Sequence, residues 1–185
     1  MNYSKLKYLL FILLLVSCGR IVDQKTLSTI MSFENEEISF PTDLTLVQSG
    51  KVYENFPIRS IPHLVFYYDS LECAPCRIQS LITLNSLLLD NRLSKKFDVL
   101  PIFSPKKGEG ELIVAEAELA IHDLPIYLDT HQSFVNNNPC IPQDPRFHSF
   151  LVDISGSPVF VGDPRNSKRL ERLFRRTIIN ISKLE

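Results

Sequence analysis

Cysteine is scarce in this sequence, and neither sign of charge dominates it. Four cysteines in 185 residues are too few for a scaffold held together by disulfides, so each cysteine has to be interpreted separately. Lysine and arginine number 20 against 21 acidic residues, and a net charge of −1 gives no electrostatic reason to expect nucleic acid as a partner. Internal repeats and low-complexity segments are also missing. With 44% hydrophobic and 22% charged residues, the chain has the composition of one globular domain.

The first seventeen residues predict a secretory signal peptide. Lys5 and Lys7 precede an apolar run at 8–16, which is too short to span a bilayer because a spanning helix needs about 20 apolar residues. The run leads into Leu15-Val-Ser-Cys-Gly19, which resembles the lipobox of bacterial lipoproteins. That resemblance implies cleavage before Cys18, a lipid on Cys18 and a mature protein anchored in the cell envelope, facing the periplasm. A signal anchor, or an ordinary signal with an accidental cysteine, is the alternative.

The remaining chain is predicted to consist of a tether and lead-in segment, 18–40, and one domain, 41–185. Residues 19–40 show no sustained hydrophobic period, whereas the domain alternates between strand-like and helix-like patterns. The predicted strands are 44–47, 51–53, 64–68, 97–103, 125–128, 150–152 and 158–161, and the predicted helices are 77–91, 111–122 and about 166–183, with 130–146 irregular. Ser49-Gly50 and Asp153-Ile-Ser-Gly156 are turn sequences that predict two hairpins, between 44–47 and 51–53 and between 150–152 and 158–161. The order of elements predicts an α/β fold with a central mixed sheet and helices on both faces.

A CxxC motif, Cys73-Ala-Pro-Cys76, lies between the apolar strand at 64–68 and the following helix. Backbone N–H groups at a helix start lack helical partners and carry about half a positive charge, so they favour the thiolate of the leading cysteine and lower its pKa. Pro75 suits the first turn, where its missing N–H is not needed. The spacing lets Cys76 resolve a mixed disulfide formed at Cys73.

The order of strands and helices around this motif resembles the thioredoxin superfamily over roughly residues 60–183. More narrowly, it is similar to the thioredoxin-like lipoproteins of Bacteroidetes, related to the periplasmic TlpA/ResA group. The segments that carry the resemblance are Val65–Ser70 before the motif, Pro125–Asp129, Arg146–Asp153 and Val159–Pro164.

The resemblance implies a membrane-tethered thiol–disulfide oxidoreductase that acts on protein thiols and disulfides. Cys73 would be the nucleophile and Cys76 the resolving cysteine, with Ala74, Pro75, Phe147 and His148 beside the substrate. It implies no dissociable cofactor and no metal. A reducing upstream partner is implied if the protein works as a reductase, because the periplasm favours oxidation.

Three positions depart from the pattern of that family. His148 stands where many members have a cis-proline before the strand that faces the motif. Leu71-Glu72 replaces an aromatic residue common just before the motif, and Tyr67 aligns with an acid that some members bury beneath the disulfide. A carboxylate at Glu72 close to Cys73 would oppose thiolate formation, against the effect of the helix start.

Other interpretations of these residues remain open at this stage. A structural zinc site needs four ligands, and Cys140, His122, His131 and His148 are scattered singly along the chain. Three further alternatives are copper delivery by the Cys pair with His148, a purely structural disulfide, and a redox-inactive thioredoxin-fold lipoprotein that serves as a binding scaffold. Cys140 could be a free thiol, a third redox partner or an incidental small hydrophobic residue.

Overall fold

The computed structural model describes residues 24–90, 93 and 95–183, without the side chains of residues 85 and 86. The predicted signal peptide, 1–17, and the predicted lipidation site, Cys18, lie outside the described residues. Within the described ranges, every helix is too short or too polar to cross a bilayer. The division of the chain into signal peptide, tether and domain stays a prediction.

A seven-stranded mixed sheet forms the centre of the molecule, in the order β2-β1-β5-β4-β3-β6-β7. Strands β3, β4 and β5 are parallel, and the outer strands on both sides pair antiparallel. The strands are β1 (Thr45–Gln48), β2 (Lys51–Tyr53), β3 (His63–Tyr68), β4 (Asp98–Phe103), β5 (Ile126–Leu128), β6 (Ser149–Val152) and β7 (Pro158–Val161). The predicted mixed sheet is confirmed, and both predicted hairpins are present.

Strand β3 has neighbours on both edges and packing on both faces. All six of its residues are buried, as its unbroken apolar pattern predicts. It pairs in parallel with β4 and antiparallel with β6. Both edges of its carboxyl end are therefore paired, and the CxxC motif follows that end after the turn over residues 69–72.

Pro101 lies inside β4, although proline cannot donate a hydrogen bond to a sheet. The N–H of Ser104 donates to β3, whereas the carbonyl of Phe103 accepts from Asp129 on the β5 side. Because alternate residues face alternate neighbours, Pro101 faces β5 like Phe103. Strand β5 pairs with β4 only at Ile102 and Phe103. Pro101 precedes the paired residues, so its lack of an N–H group removes no hydrogen bond between β4 and β5.

Helices cover both faces of the sheet. The α-helices are α1 (Gln24–Phe33), α2 (Ala74–Leu81), α3 (Asn85–Leu88), α4 (Gly110–Ile121), α5 (Ser133–Asn137) and α6 (Lys168–Ile181). Helices α2, α4 and α6 bury apolar residues such as Ile78, Ile113 and Phe174 in one core cluster. Helices α1 and α5 bury Phe33 and Phe134 in a second cluster. The predicted architecture of a sheet with helices on both faces is confirmed.

Three segments differ locally from the predicted helices and loops. Residues 24–33, within the predicted tether and lead-in segment, form helix α1, because Phe33 packs edge-to-face on Phe150 in the second core cluster. Residues 133–137 form helix α5 inside the segment predicted to be irregular. The helix predicted at 77–91 begins earlier, at Ala74, and a 3₁₀ turn at 82–84 separates α2 from α3.

Candidate active site

The candidate site lies where β3 ends and α2 begins. A short turn over residues 69–72 follows β3, and Cys73 occupies the N-cap position of α2 with extended backbone dihedrals. Cys73 and Cys76 form a disulfide, with their Cα atoms 5.3 Å apart. Both residues are exposed. The two predicted cysteines are thus joined by a bond that a partner molecule can reach.

The first turn of α2 leaves backbone donors close to Cys73. The N–H of Arg77 donates to the carbonyl of Cys73 at 3.0 Å, which is the first hydrogen bond of the helix. No side chain caps this helix start, and Pro75 occupies the first turn. The N–H groups of Ala74 and Cys76 therefore have no helical acceptor, and the partial positive charge of the helix start lies at Cys73.

Glu72 is a largely buried carboxylate directly before the cysteine pair. Only 10% of its side chain is exposed, and Nη2 of Arg77 lies 2.5 Å from its Oε2. Burial opposes the charged form, but the neighbouring His148 and Arg77 side chains outweigh burial and lower the pKa of Glu72. A charged group therefore adjoins Cys73, and Arg77 offsets part of its charge.

His148 meets Glu72 because it directly precedes β6, the antiparallel neighbour of β3. Its carbonyl accepts a hydrogen bond from the N–H of Tyr67 at 2.9 Å, which fixes its backbone to β3. The side chain is 6% exposed, and its Nδ1 lies 3.9 Å from Oε1 of Glu72. Its Nε2 lies 2.9 Å from the carbonyl oxygen of Pro142. Through Glu72, His148 is a close neighbour of the cysteine pair.

The other residues predicted to contact substrate differ in accessibility. Ala74 and Pro75 are half-buried and stand between the two exposed cysteines. Phe147 is 7% exposed, and the guanidinium of Arg146 lies over its ring, 5.6 Å from the centroid. The side chain of Phe147 therefore offers little surface to a partner, although a substrate role for all four predicted residues stays a prediction.

Tyr67 is buried within β3, where some members of the resembled family carry an acid. Its ring centroid lies 5.2 Å from that of His148 and 5.6 Å from that of Phe134. Burial raises the pKa of Tyr67, so the phenol stays neutral around pH 7. The acidic group next to the motif comes from Glu72, in the turn, and not from the strand.

Cys140 and the exposed histidines do not join the cysteine pair. Cys140 is a free cysteine, half-buried against the second core cluster, and burial raises the pKa of its thiol. That environment fits the interpretation of Cys140 as a small hydrophobic residue. His122 pairs with Glu118, and His131 lies 3.7 Å from Asp43 on the surface. Among the described residues, the four scattered candidates for zinc do not come together in one group of potential ligands.

Asp69 is a site residue that the sequence analysis missed. One of its carboxylate oxygens accepts a hydrogen bond from the N–H of Leu71 at 2.7 Å. Ligand atoms of Asp69, Glu72 and His148 all lie within 4.8 Å of one another. Two of these three residues follow β3 directly, but their meeting with His148 depends on the pairing of β3 with β6, which the sequence pattern does not specify.

The fold is thioredoxin-like, as comparison with solved structures shows. An oxidised thioredoxin-like protein, solved in solution, has a TM-score of 0.52 and 16% identity, and the match covers 78% of this chain and 95% of that chain. A putative thiol:disulfide interchange protein DsbE from Chlorobium tepidum has a TM-score of 0.50 and 17% identity, and the match covers 77% of this chain and 98% of that chain. A putative electron transfer protein from Aquifex aeolicus VF5 has a TM-score of 0.52 and 13% identity, and the match covers 80% of this chain and 99% of that chain.

These similarities establish the fold. Each match covers at least 95% of the compared chain. No protein-family model matches the sequence, and no curated protein matches it either. Function therefore has to be argued from the residues of the site.

Proposed function

We propose that this protein is a thiol–disulfide oxidoreductase that acts on protein disulfides through Cys73 and Cys76. The observation that carries the proposal is the exposed Cys73–Cys76 disulfide at the start of a helix that follows a buried strand. A purely structural disulfide gains little from such a place, because it closes a loop of only two intervening residues. The thioredoxin-like fold supports the same function.

The reductase direction needs the cysteine pair in its dithiol form. The Cys73 thiolate attacks one sulfur of the substrate disulfide, a mixed disulfide forms, and the other substrate sulfur leaves as a thiolate that takes up a proton. The Cys76 thiolate then attacks Cys73, which releases the second substrate thiol and forms the Cys73–Cys76 disulfide. Two electrons pass from the protein to the substrate, and a dithiol partner returns them. The oxidase direction runs the same steps backwards.

The roles of the two cysteines follow from their places on α2. Cys73 occupies the N-cap, where the partial positive charge of the helix start favours a thiolate. Cys76 lies in the first turn, within bonding distance of Cys73. The half-buried Ala74 and Pro75 separate them, and both cysteines are exposed to a substrate that approaches from solvent.

Catalysed exchange with a peptide disulfide tests this function. We expect the wild-type protein to reduce a small disulfide peptide repeatedly when a dithiol reductant is supplied, as followed by liquid chromatography of the peptide. The double variant Cys73→Ser, Cys76→Ser is the matched control and should have no activity above the background. If the wild type does not turn over the peptide, and the double variant still binds the same partner, the protein is a binding scaffold.

We further propose that the domain is anchored in the cell envelope through a lipid on Cys18 and faces the periplasm. The lipobox-like segment before Cys18 supports this proposal. In a bacterial host, the wild-type protein should incorporate labelled palmitate and sediment with membranes, whereas Cys18→Ser should do neither. Unchanged membrane association of Cys18→Ser would contradict the lipid anchor.

A further inference from the structure

Two buried acceptor atoms face each other beside the cysteine pair. Oε1 of Glu72 and Nδ1 of His148 are both buried, and neither has a hydrogen-bond partner among the described residues. The two side chains are 10% and 6% exposed. A buried polar atom without a partner is destabilising, so a pair of them calls for an explanation such as a bound ion.

The tautomer of His148 follows from its other nitrogen. Nε2 lies 2.9 Å from the carbonyl oxygen of Pro142, and a carbonyl can only accept, so Nε2 carries the proton. In the protonated ring, Nδ1 carries the second proton and lowers the pKa of Glu72, whereas in the neutral ring, the form that binds a metal ion, Nδ1 presents a lone pair towards Glu72. Metal-binding histidines are held in the same way, with the second ring nitrogen donating to a backbone carbonyl or a carboxylate.

The spacing of these atoms fits a metal ion better than a proton. The distance of 3.9 Å between Nδ1 and Oε1 exceeds that of a hydrogen bond, which is about 2.7–3.2 Å. Zinc binds nitrogen and oxygen ligands at about 2.0–2.2 Å in tetrahedral geometry, so two ligands of one ion lie roughly 3.3–3.6 Å apart. A shift of a few tenths of an ångström, on the order of 0.5 Å, therefore brings both atoms onto one ion.

Asp69 supplies the third group. Its ligand oxygen lies within 4.8 Å of the ligand atoms of Glu72 and His148, so these separations have to shorten by at most about 1.5 Å to place all three on one ion. Asp69 is only half-buried, which gives the ion a path from solvent. The charges also suit a dication, because two carboxylates outnumber the single guanidinium of Arg77 that contacts Oε2 of Glu72.

We propose that Asp69, Glu72 and His148 form a binding site for a divalent transition metal ion such as Zn²⁺. A buried imidazole nitrogen disfavours Ca²⁺ and Mg²⁺, which prefer oxygen ligands only. Three protein ligands leave a fourth position for water. The site differs from the zinc and copper sites weighed in the sequence analysis, because it uses neither sulfur of the disulfide.

Zn²⁺ titration of the oxidised full chain, with its free thiols alkylated, tests this site. By isothermal calorimetry we expect one ion per chain, and we expect His148→Gln and Asp69→Asn each to weaken binding by at least about tenfold. His131→Gln is the matched control, because His131 also neighbours a carboxylate, that of Asp43, but is exposed. That variant should keep the wild-type affinity.

X-ray absorption spectroscopy of the zinc-loaded protein identifies the atoms that bind the zinc ion. These should be nitrogen and oxygen, without sulfur. Lack of saturable binding, a sulfur ligand, or equal affinity in Asp69→Asn and wild type would overturn the site. Circular dichroism checks the fold of His148→Gln, and Asp69→Asn alone decides the outcome if that variant unfolds. The disulfide stays closed throughout, so this result is independent of the test of thiol exchange.

Discussion

The two single variants Cys73→Ser and Cys76→Ser should behave differently towards a peptide disulfide. Cys73→Ser removes the attacking sulfur, so we expect the exchange rate with a peptide disulfide to fall by at least about a thousandfold. Cys76→Ser keeps the nucleophile at the helix start but removes the thiol that resolves the mixed disulfide. Its reduced form should therefore accumulate a covalent adduct with the peptide at Cys73, visible by intact-protein mass spectrometry.

The adduct has to map to Cys73, because Cys140 is also a free cysteine. Cys140→Ser is the matched control, and it should keep wild-type exchange, since Cys140 packs against the second core cluster on the other face of the sheet from α2. Adduct formation by Cys73→Ser in place of Cys76→Ser would reverse the assigned roles. Equal exchange rates in both single variants and the wild type would show that the cysteine pair takes no part in the reaction.

Truncation of Phe33 should destabilise the whole domain, although Phe33 lies in the segment that the sequence analysis assigns to a tether. Phe33 is 2% exposed and its ring packs edge-to-face on Phe150, with centroids 5.0 Å apart. Removal of a buried phenylalanine ring leaves a cavity and loses apolar burial, so Phe33→Ala should lower the free energy of unfolding by about 3–5 kcal/mol. Urea denaturation followed by circular dichroism measures the change.

Met31 provides the control on the same helix. It is 57% exposed, so Met31→Ala should change the free energy of unfolding by less than about 1 kcal/mol. If Phe33→Ala is as mild as Met31→Ala, then α1 does not contribute to the core, and the domain begins after it. A large effect of Phe33→Ala alone places residues 24–40 within the folded domain.

Sequence reasoning worked where local pattern and local chemistry decide the structure. The unbroken apolar run at 64–68 predicts a strand buried on both faces, and β3 has this environment. Pro75 suits the first turn of a helix, and α2 includes it, although α2 begins at Ala74, three residues before the predicted start. The hairpin between 150–152 and 158–161 follows from its turn residues, and β6 pairs with β7.

Sequence reasoning failed where contacts between distant segments decide the structure. Helices α1 and α5 form because Phe33 and Phe134 reach the same core cluster from distant parts of the chain. The meeting of Glu72 with His148 depends on how β3 and β6 pair. No local sequence motif predicts the register of that pairing or the burial of both side chains.

The central claim is that the Cys73–Cys76 disulfide is reversible and reactive, and equilibration with glutathione tests it most directly. The measurement is the fraction of the pair that is reduced at each ratio of reduced to oxidised glutathione, after alkylation and mass spectrometry. We predict a midpoint within the range of disulfide oxidoreductases, about −120 to −270 mV. A disulfide that stays closed until below about −300 mV, as structural disulfides do, would contradict the account.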